Sequence, residues 1–129
     1  MHTENYVWGT AINPYNKERS CGGSSGGDAG LVASRCVPLG IGTDIGGSIR
    51  IPAHFNGLTG FRASPWRMAQ GTVIVLPSSF NPYTIIKSCI GPLGKTVDDI
   101  KVGLQVLMQS HAYKYDSNCP PCPFREEVY

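Results

Sequence analysis

The clearest periodicity in the chain lies near its end. Val97, Ile100, Leu104, Leu107 and Met108 recur at helical spacing, so they share one face. Thr96 is placed to cap that helix, and Asp98 and Asp99 fall in its first turn, where carboxylates meet the positive end of the dipole. The spacing predicts a helix over about 97–109 whose apolar stripe packs on a core. Elsewhere the pattern is shorter-ranged. Thr72–Leu76 (TVIVL) is β-branched and reads as a strand, Val37–Ile41 as a buried strand, and Leu58–Phe61 as a short one. Asp28–Ser34 (DAGLVAS) reads as a short helix with Asp28 near its N-terminus.

Between these elements the chain is polar or glycine-rich. Residues 1–21 are polar and turn-rich, with Asn13-Pro14 as a turn signal. A second glycine turn, Gly42 to Ser48, leads into Ile49-Arg50-Ile51, where Pro52 restricts the backbone. The tail from 113 to 129 is rich in proline and predicts an extended strap on the surface. Alternating strands and helices argue an α/β fold. Strands such as Thr72–Leu76 call for neighbours that 129 residues do not readily supply.

Composition narrows the function classes. A net charge of +2 with no basic run argues against a nucleic-acid partner. No apolar run approaches the roughly 20 residues of a membrane span, and no basic-then-apolar leader opens the chain, so the expectation is an intracellular protein. Five cysteines, an odd number, point to free thiols rather than a disulfide framework. Cys119-Pro120-Pro121-Cys122 lacks the second pair or the histidines that a zinc site needs, and its prolines speak against a redox motif heading a helix. His2, His54 and His111 have no metal-ligand spacing, so no metal is expected.

Sixteen glycines, most of them between Gly22 and Gly60, are the chemical signal. A P-loop needs G-x-x-x-x-G-K-[ST], and no lysine follows any glycine of the 22–60 stretch at the required place. Gly40-Ile41-Gly42 opens like a dinucleotide fingerprint, but Ile45 occupies the sixth position and the glycine arrives one residue late. Gly22-Gly23-Ser24-Ser25-Gly26 satisfies the pattern of a nucleophile elbow, yet the polar stretch Asn16–Cys21 cannot be the buried strand that an elbow requires. A further reading takes two loops together. Ser24 and Ser48 each lie among small residues that let a hydroxyl approach a substrate. Ile45-Gly46-Gly47-Ser48 offers successive backbone N–H groups, the donors that an oxyanion hole needs.

The stretch GGSSGGDAGLVASRCVPLGIGTDIGGSIRIPAHFNGLTGFR, residues 22–62, resembles the amidase signature. NPYNKERSCGGSSGG resembles that family's approach to its first serine, with Cys21 where proline is more usual, and GPLGKTVDDI resembles the segment before a long helix. The ending PPCPFREEVY resembles the fatty acid amide hydrolase branch. The resemblance implies that residues 1–129 are part of an α/β/α core with a mixed central sheet. It implies a Ser–cis-Ser–Lys mechanism in which Ser48 is the nucleophile and Ser24, after a cis peptide bond, relays a proton. Ile45, Gly46, Gly47 and Ser48 then form the oxyanion hole, and Asp44, Arg50 and Ser25 brace the loops.

The reaction so implied is amide hydrolysis through an acyl-enzyme, with no metal or organic cofactor. The branch implies a fatty acid amide or other small amide as substrate, and membrane association or a homodimer for the full-length family. A non-catalytic amidase-like module, and a branch supplying ammonia for transamidation of charged tRNA, are the alternatives. The family's base is a lysine well upstream of the first serine. Lys17 is the sole lysine before Ser24 and lies in a segment matching a different part of the family, so it is not assigned that role.

Overall fold

A computed structural model describes residues 1–69, 87–109, 114, 116 and 118–128. Two small antiparallel hairpins open the chain: β1 (Glu4–Asn5) with β2 (Gly9–Thr10), and β3 (Ile12–Asn13) with β4 (Asn16–Ser20). α1 (Gly26–Ala33) follows, then β5 (Gly40–Asp44), α2 (Arg50–Phe55), β6 (Thr59–Gly60), β7 (Cys89–Gly94) and α3 (Val97–Gln109). A 3-10 turn, Glu126–Val128, lies in the tail. The organisation is α/β, and every pairing among the described residues is antiparallel.

The sheet that carries the site has the order β5-β7-β6. Its centre is the segment that looks least like a strand. β7 reads CIGPLG, and Pro92 contributes no N–H to the ladder. The Pro92 carbonyl still accepts from Phe61 N–H at 3.0 Å, and Pro92 stands opposite Ile41 in β5. All six residues of β7 are buried, so context overrides composition here. β5 begins three residues after the expected strand start and runs to Asp44. Its inward positions are Gly40, Gly42 and Asp44, which carry no hydrophobic signal. Thr72–Leu76 lies outside the described residues.

α2 is an element the sequence pattern does not announce. Pro52 sits in its first turn, where proline's missing N–H costs no helical bond. α1 begins two residues before the expected helix. Burial pushes the Asp28 carboxyl up, against the expected stabilisation of its charge by the helix end. Gly40 is the close-approach point under α1: a Cβ there would stand 3.2 Å from Asp28 Cβ and 3.3 Å from Val32 Cγ2.

α3 spans the residues that its periodicity indicated. The Thr96 hydroxyl accepts from Asp99 N–H, while Asp99 Oδ2 accepts from the N–H groups of Lys95 and Thr96. This is a reciprocal capping box with aspartate in the usual glutamate position. Hydrogen bonds from Thr96 hold the Asp99 carboxyl below its ordinary range. Thr96→Ala is expected to cost about 1 kcal/mol, read as a lower urea midpoint for the chain. The tail is fastened to α3 by Gln105 Nε2 donating to Glu126 Oε1 at 2.8 Å.

Candidate active site

Ser48 follows a loop whose shape is set by one carboxylate. Asp44 ends β5 and is fully buried. Its Oδ1 accepts from Gly47 N–H at 2.7 Å, and its Oδ2 accepts from the N–H groups of Ile49 at 3.1 Å and Arg50 at 3.3 Å. The Arg50 guanidinium adds a forked contact, Nε to Oδ2 at 3.0 Å and a terminal nitrogen to Oδ1 at 2.9 Å. Arg62 Nε stands 3.7 Å from Oδ1. Burial opposes charge on Asp44, but the hydrogen bonds from Arg50 and the three backbone N–H groups outweigh it, so its pKa falls well below the usual carboxylate range. The carboxylate therefore grips the chain on both sides of Ser48.

Gly47 takes a φ of +121°, a conformation that a side chain resists. Its N–H is committed to Asp44. Among the described residues, the N–H groups of Ile45, Gly46 and Ser48 meet no acceptor. Ile45 and Gly46 are exposed, whereas Ser48 is buried to 5% exposure. The loop thus presents free donors beside a recessed hydroxyl.

The first glycine loop is stitched to the second. Ser25 N–H donates to Ser48 O at 3.0 Å, and the Ser25 hydroxyl stands 3.4 Å from Thr43 O and 3.3 Å from Thr43 N. Ser25 is the N-cap of α1, but its hydroxyl turns to β5 rather than to its own helix. Asn56, at the C-terminus of α2, donates from Nδ2 to Cys21 O and Pro52 O, both at 2.8 Å. A Cβ on Gly22 would stand 3.1 Å from Pro52 Cα, so the first loop lies directly against α2. The peptide bond between Gly23 and Ser24 is cis, and Ser24 is exposed.

Ser24, Ser25, Asp44, Ile45, Gly46, Gly47, Ser48 and Arg50 are thus brought into one region by three tethers. Lys17 lies exposed on β4. Thr3, Asn56 and Arg62 also reach these loops; Asn56 and Arg62 fall within the 22–62 stretch but are not singled out there, and Thr3 precedes it. Arg62 ends the signature-like stretch and donates to Lys87 O at 3.0 Å, tying the start of β7 to the Asp44 cluster. Thr3 and Asn56 act over separations of 19 to 35 residues, which no local pattern reveals.

A strand-ended carboxylate thus holds one glycine-rich serine loop, and Ser25 joins it to a second. The amidase family model matches residues 1–129, and the chain belongs to the amidase family. It is 43% identical over 124 residues to an acetamidase of Aspergillus oryzae, covering 96% of this chain and 22% of that protein. It is 37% identical to fatty-acid amide hydrolase 1 of Sus scrofa, covering 97% of this chain and 21% of that protein. A solved fatty acid amide hydrolase structure aligns with a TM-score of 0.84 at 29% identity, over 97% of this chain and 22% of that one. A bacterial aryl acylamidase aligns with a TM-score of 0.72 at 40% identity, over 82% of this chain and 21% of that one. The chain spans about a fifth of the length of the relatives it matches. No helix among the described residues is long and apolar enough to cross a membrane.

Proposed function

We propose that this chain carries the nucleophile and relay loops of an amide-bond hydrolase. Ser48 Oγ attacks the amide carbonyl, and its proton passes through the Ser24 hydroxyl to the departing amine. Water then attacks the acyl–Ser48 ester and releases the acid. The negative oxygen of each tetrahedral intermediate lies against the N–H groups of Ile45, Gly46, Gly47 and Ser48, with Gly47 sharing its proton with Asp44. The base that draws the proton from Ser24 is a lysine in the family's pattern, and Lys17 is not given that part. The observation that carries this reading is the pinning of Gly47, Ile49 and Arg50 on buried Asp44, which fixes the donors before substrate arrives.

The substrate is a small amide. The ending PPCPFREEVY and the likeness to fatty acid amide hydrolases support a long-chain acyl group, while 43% identity to an acetamidase supports a short one. The test of the nucleophile is a fluorophosphonate probe on the purified chain. Labelling is expected at Ser48 and is expected to vanish in Ser48→Ala. Absent labelling, or labelling that survives the substitution, refutes the reading and leaves an amidase-like scaffold without turnover.

A further inference from the structure

Ser24 and Ser25 share a peptide unit whose two ends are held from opposite sides. Its N–H, on Ser25, donates to Ser48 O at 3.0 Å. Its carbonyl, on Ser24, lies 3.0 Å from the hydroxyl of Thr3. The same hydroxyl lies 3.1 Å from Gly22 O and accepts from Gly26 N–H at 2.9 Å. One side chain from the N-terminal segment therefore reaches the carbonyls of Gly22 and Ser24, which share its single proton, and the first turn of α1. Thr3 is itself anchored, because its carbonyl accepts from Ala11 N–H at 2.9 Å. The backbone beside it crowds the loop too: a Cβ on Gly23 would stand 2.5 Å from His2 O.

We propose that Thr3 is a positioning residue for the relay serine: its hydroxyl and the Ser48 carbonyl hold opposite ends of the Ser24–Ser25 peptide and so fix the Ser24 hydroxyl relative to Ser48. The proposal rests on the hydrolase reading above. A peptide plane gripped at its carbonyl and its N–H cannot rotate, whereas one gripped at the N–H alone can swing about that bond. Rotation carries Ser24 Cα with it, and misplacement of a reacting group by about 1 Å costs up to about a hundredfold in rate. A hydroxyl that donates on one side and accepts on the other also polarises the hydrogen bonds in series, which strengthens the array.

The test compares Thr3→Val, which keeps the shape and removes the hydroxyl, with Thr3→Ser, which keeps the hydroxyl. Inactivation of Ser48 by a fluorophosphonate is followed against probe concentration and pH, with thermal melting alongside. In T3V the maximal inactivation rate is expected to fall about tenfold while the half-saturating probe concentration stays unchanged. T3S is expected to restore the rate. An undiminished maximal rate in T3V, or a T3S variant as slow as T3V, overturns the proposal.

Amide hydrogen exchange supplies a second arm that needs no chemistry at Ser48. In T3V the amides of both Ser25 and Gly26 are expected to exchange faster. If only Gly26 responds, Thr3 is a helix cap and nothing more, and the proposal fails. If wild-type Ser48 does not react at all, the hydrolase reading fails, and the exchange of Ser25 still decides whether the clamp exists.

Discussion

Replacing Asp44 with alanine is expected to destabilise the chain by about 3 kcal/mol and to abolish labelling at Ser48. The loss has two sources. Three backbone N–H groups, of Gly47, Ile49 and Arg50, lose their acceptor in a region that water reaches poorly. Arg62 Nε is buried and has no hydrogen bond among the described residues, so the nearby carboxylate at 3.7 Å is what compensates its charge. Arg50→Ala is expected to cost less, because the Arg50 side chain is 54% exposed and water replaces what it gave. Ranking the two variants by urea midpoint checks the argument. Equal losses would mean that the ion pair, and not the backbone donors, holds the loop.

The same carboxylate sets a pH dependence. The folded state lowers the Asp44 pKa, so folding is favoured wherever Asp44 is ionised in both states. Its contribution is fully present above the ordinary aspartate range, about pH 4, and is lost as pH falls through and below that range. The wild-type chain should therefore lose stability on acidification more steeply than Asp44→Ala, and the two curves should converge at low pH. Parallel curves would show that Asp44 does not carry the linkage.

How legible each element is in the sequence depends on where its signal resides. α3 announces itself because helical spacing, capping box and dipole charges are all local. Ser24 and Ser48 stand out because a run of small residues is rare and has few uses. β5 and β7 are obscured because glycine, aspartate and proline interrupt the pattern: β5 faces inward with Gly40, Gly42 and Asp44, and in β7 the buried Cys89, Ile90 and Leu93 are split by the glycine and proline at 91 and 92. α2 is hidden by Pro52, which reads as a breaker until the helix is seen to begin two residues before it. Thr3, Asn56 and Arg62 contribute through partners far along the chain, and their residue types alone carry no such information. The exposed strand β4 agrees with the argument that Asn16–Cys21 is no buried strand, and with it the rejection of a nucleophile elbow.

One side chain, Ile49, lies against a glycine of each strand in the sheet, and its removal is the second large effect. Ile49 follows Ser48 directly and is fully buried with Ala29, Ala53 and Leu93. A Cβ on Gly42 of β5 would lie 3.0 Å from Ile49 Cγ1, one on Gly60 of β6 3.0 Å from its Cγ2, and one on Gly91 of β7 3.2 Å from its Cδ1. Each strand of the sheet thus gives up a side chain at the place where Ile49 enters. The residue after the nucleophile is keyed into a socket of three glycines, and this locates Ser48 over the sheet. Ile49→Ala is expected to cost about 3 kcal/mol through the cavity it leaves, and Ile49→Val about 1 kcal/mol. Gly42→Ala attacks the same joint from the other side, since its Cβ would also stand 2.5 Å from Ser25 Oγ. It should lower the urea midpoint and slow probe labelling, because overpacking shifts both serine loops at once. If Ile49→Ala keeps the wild-type midpoint, or labels at the wild-type rate, the sheet does not position Ser48 through this side chain.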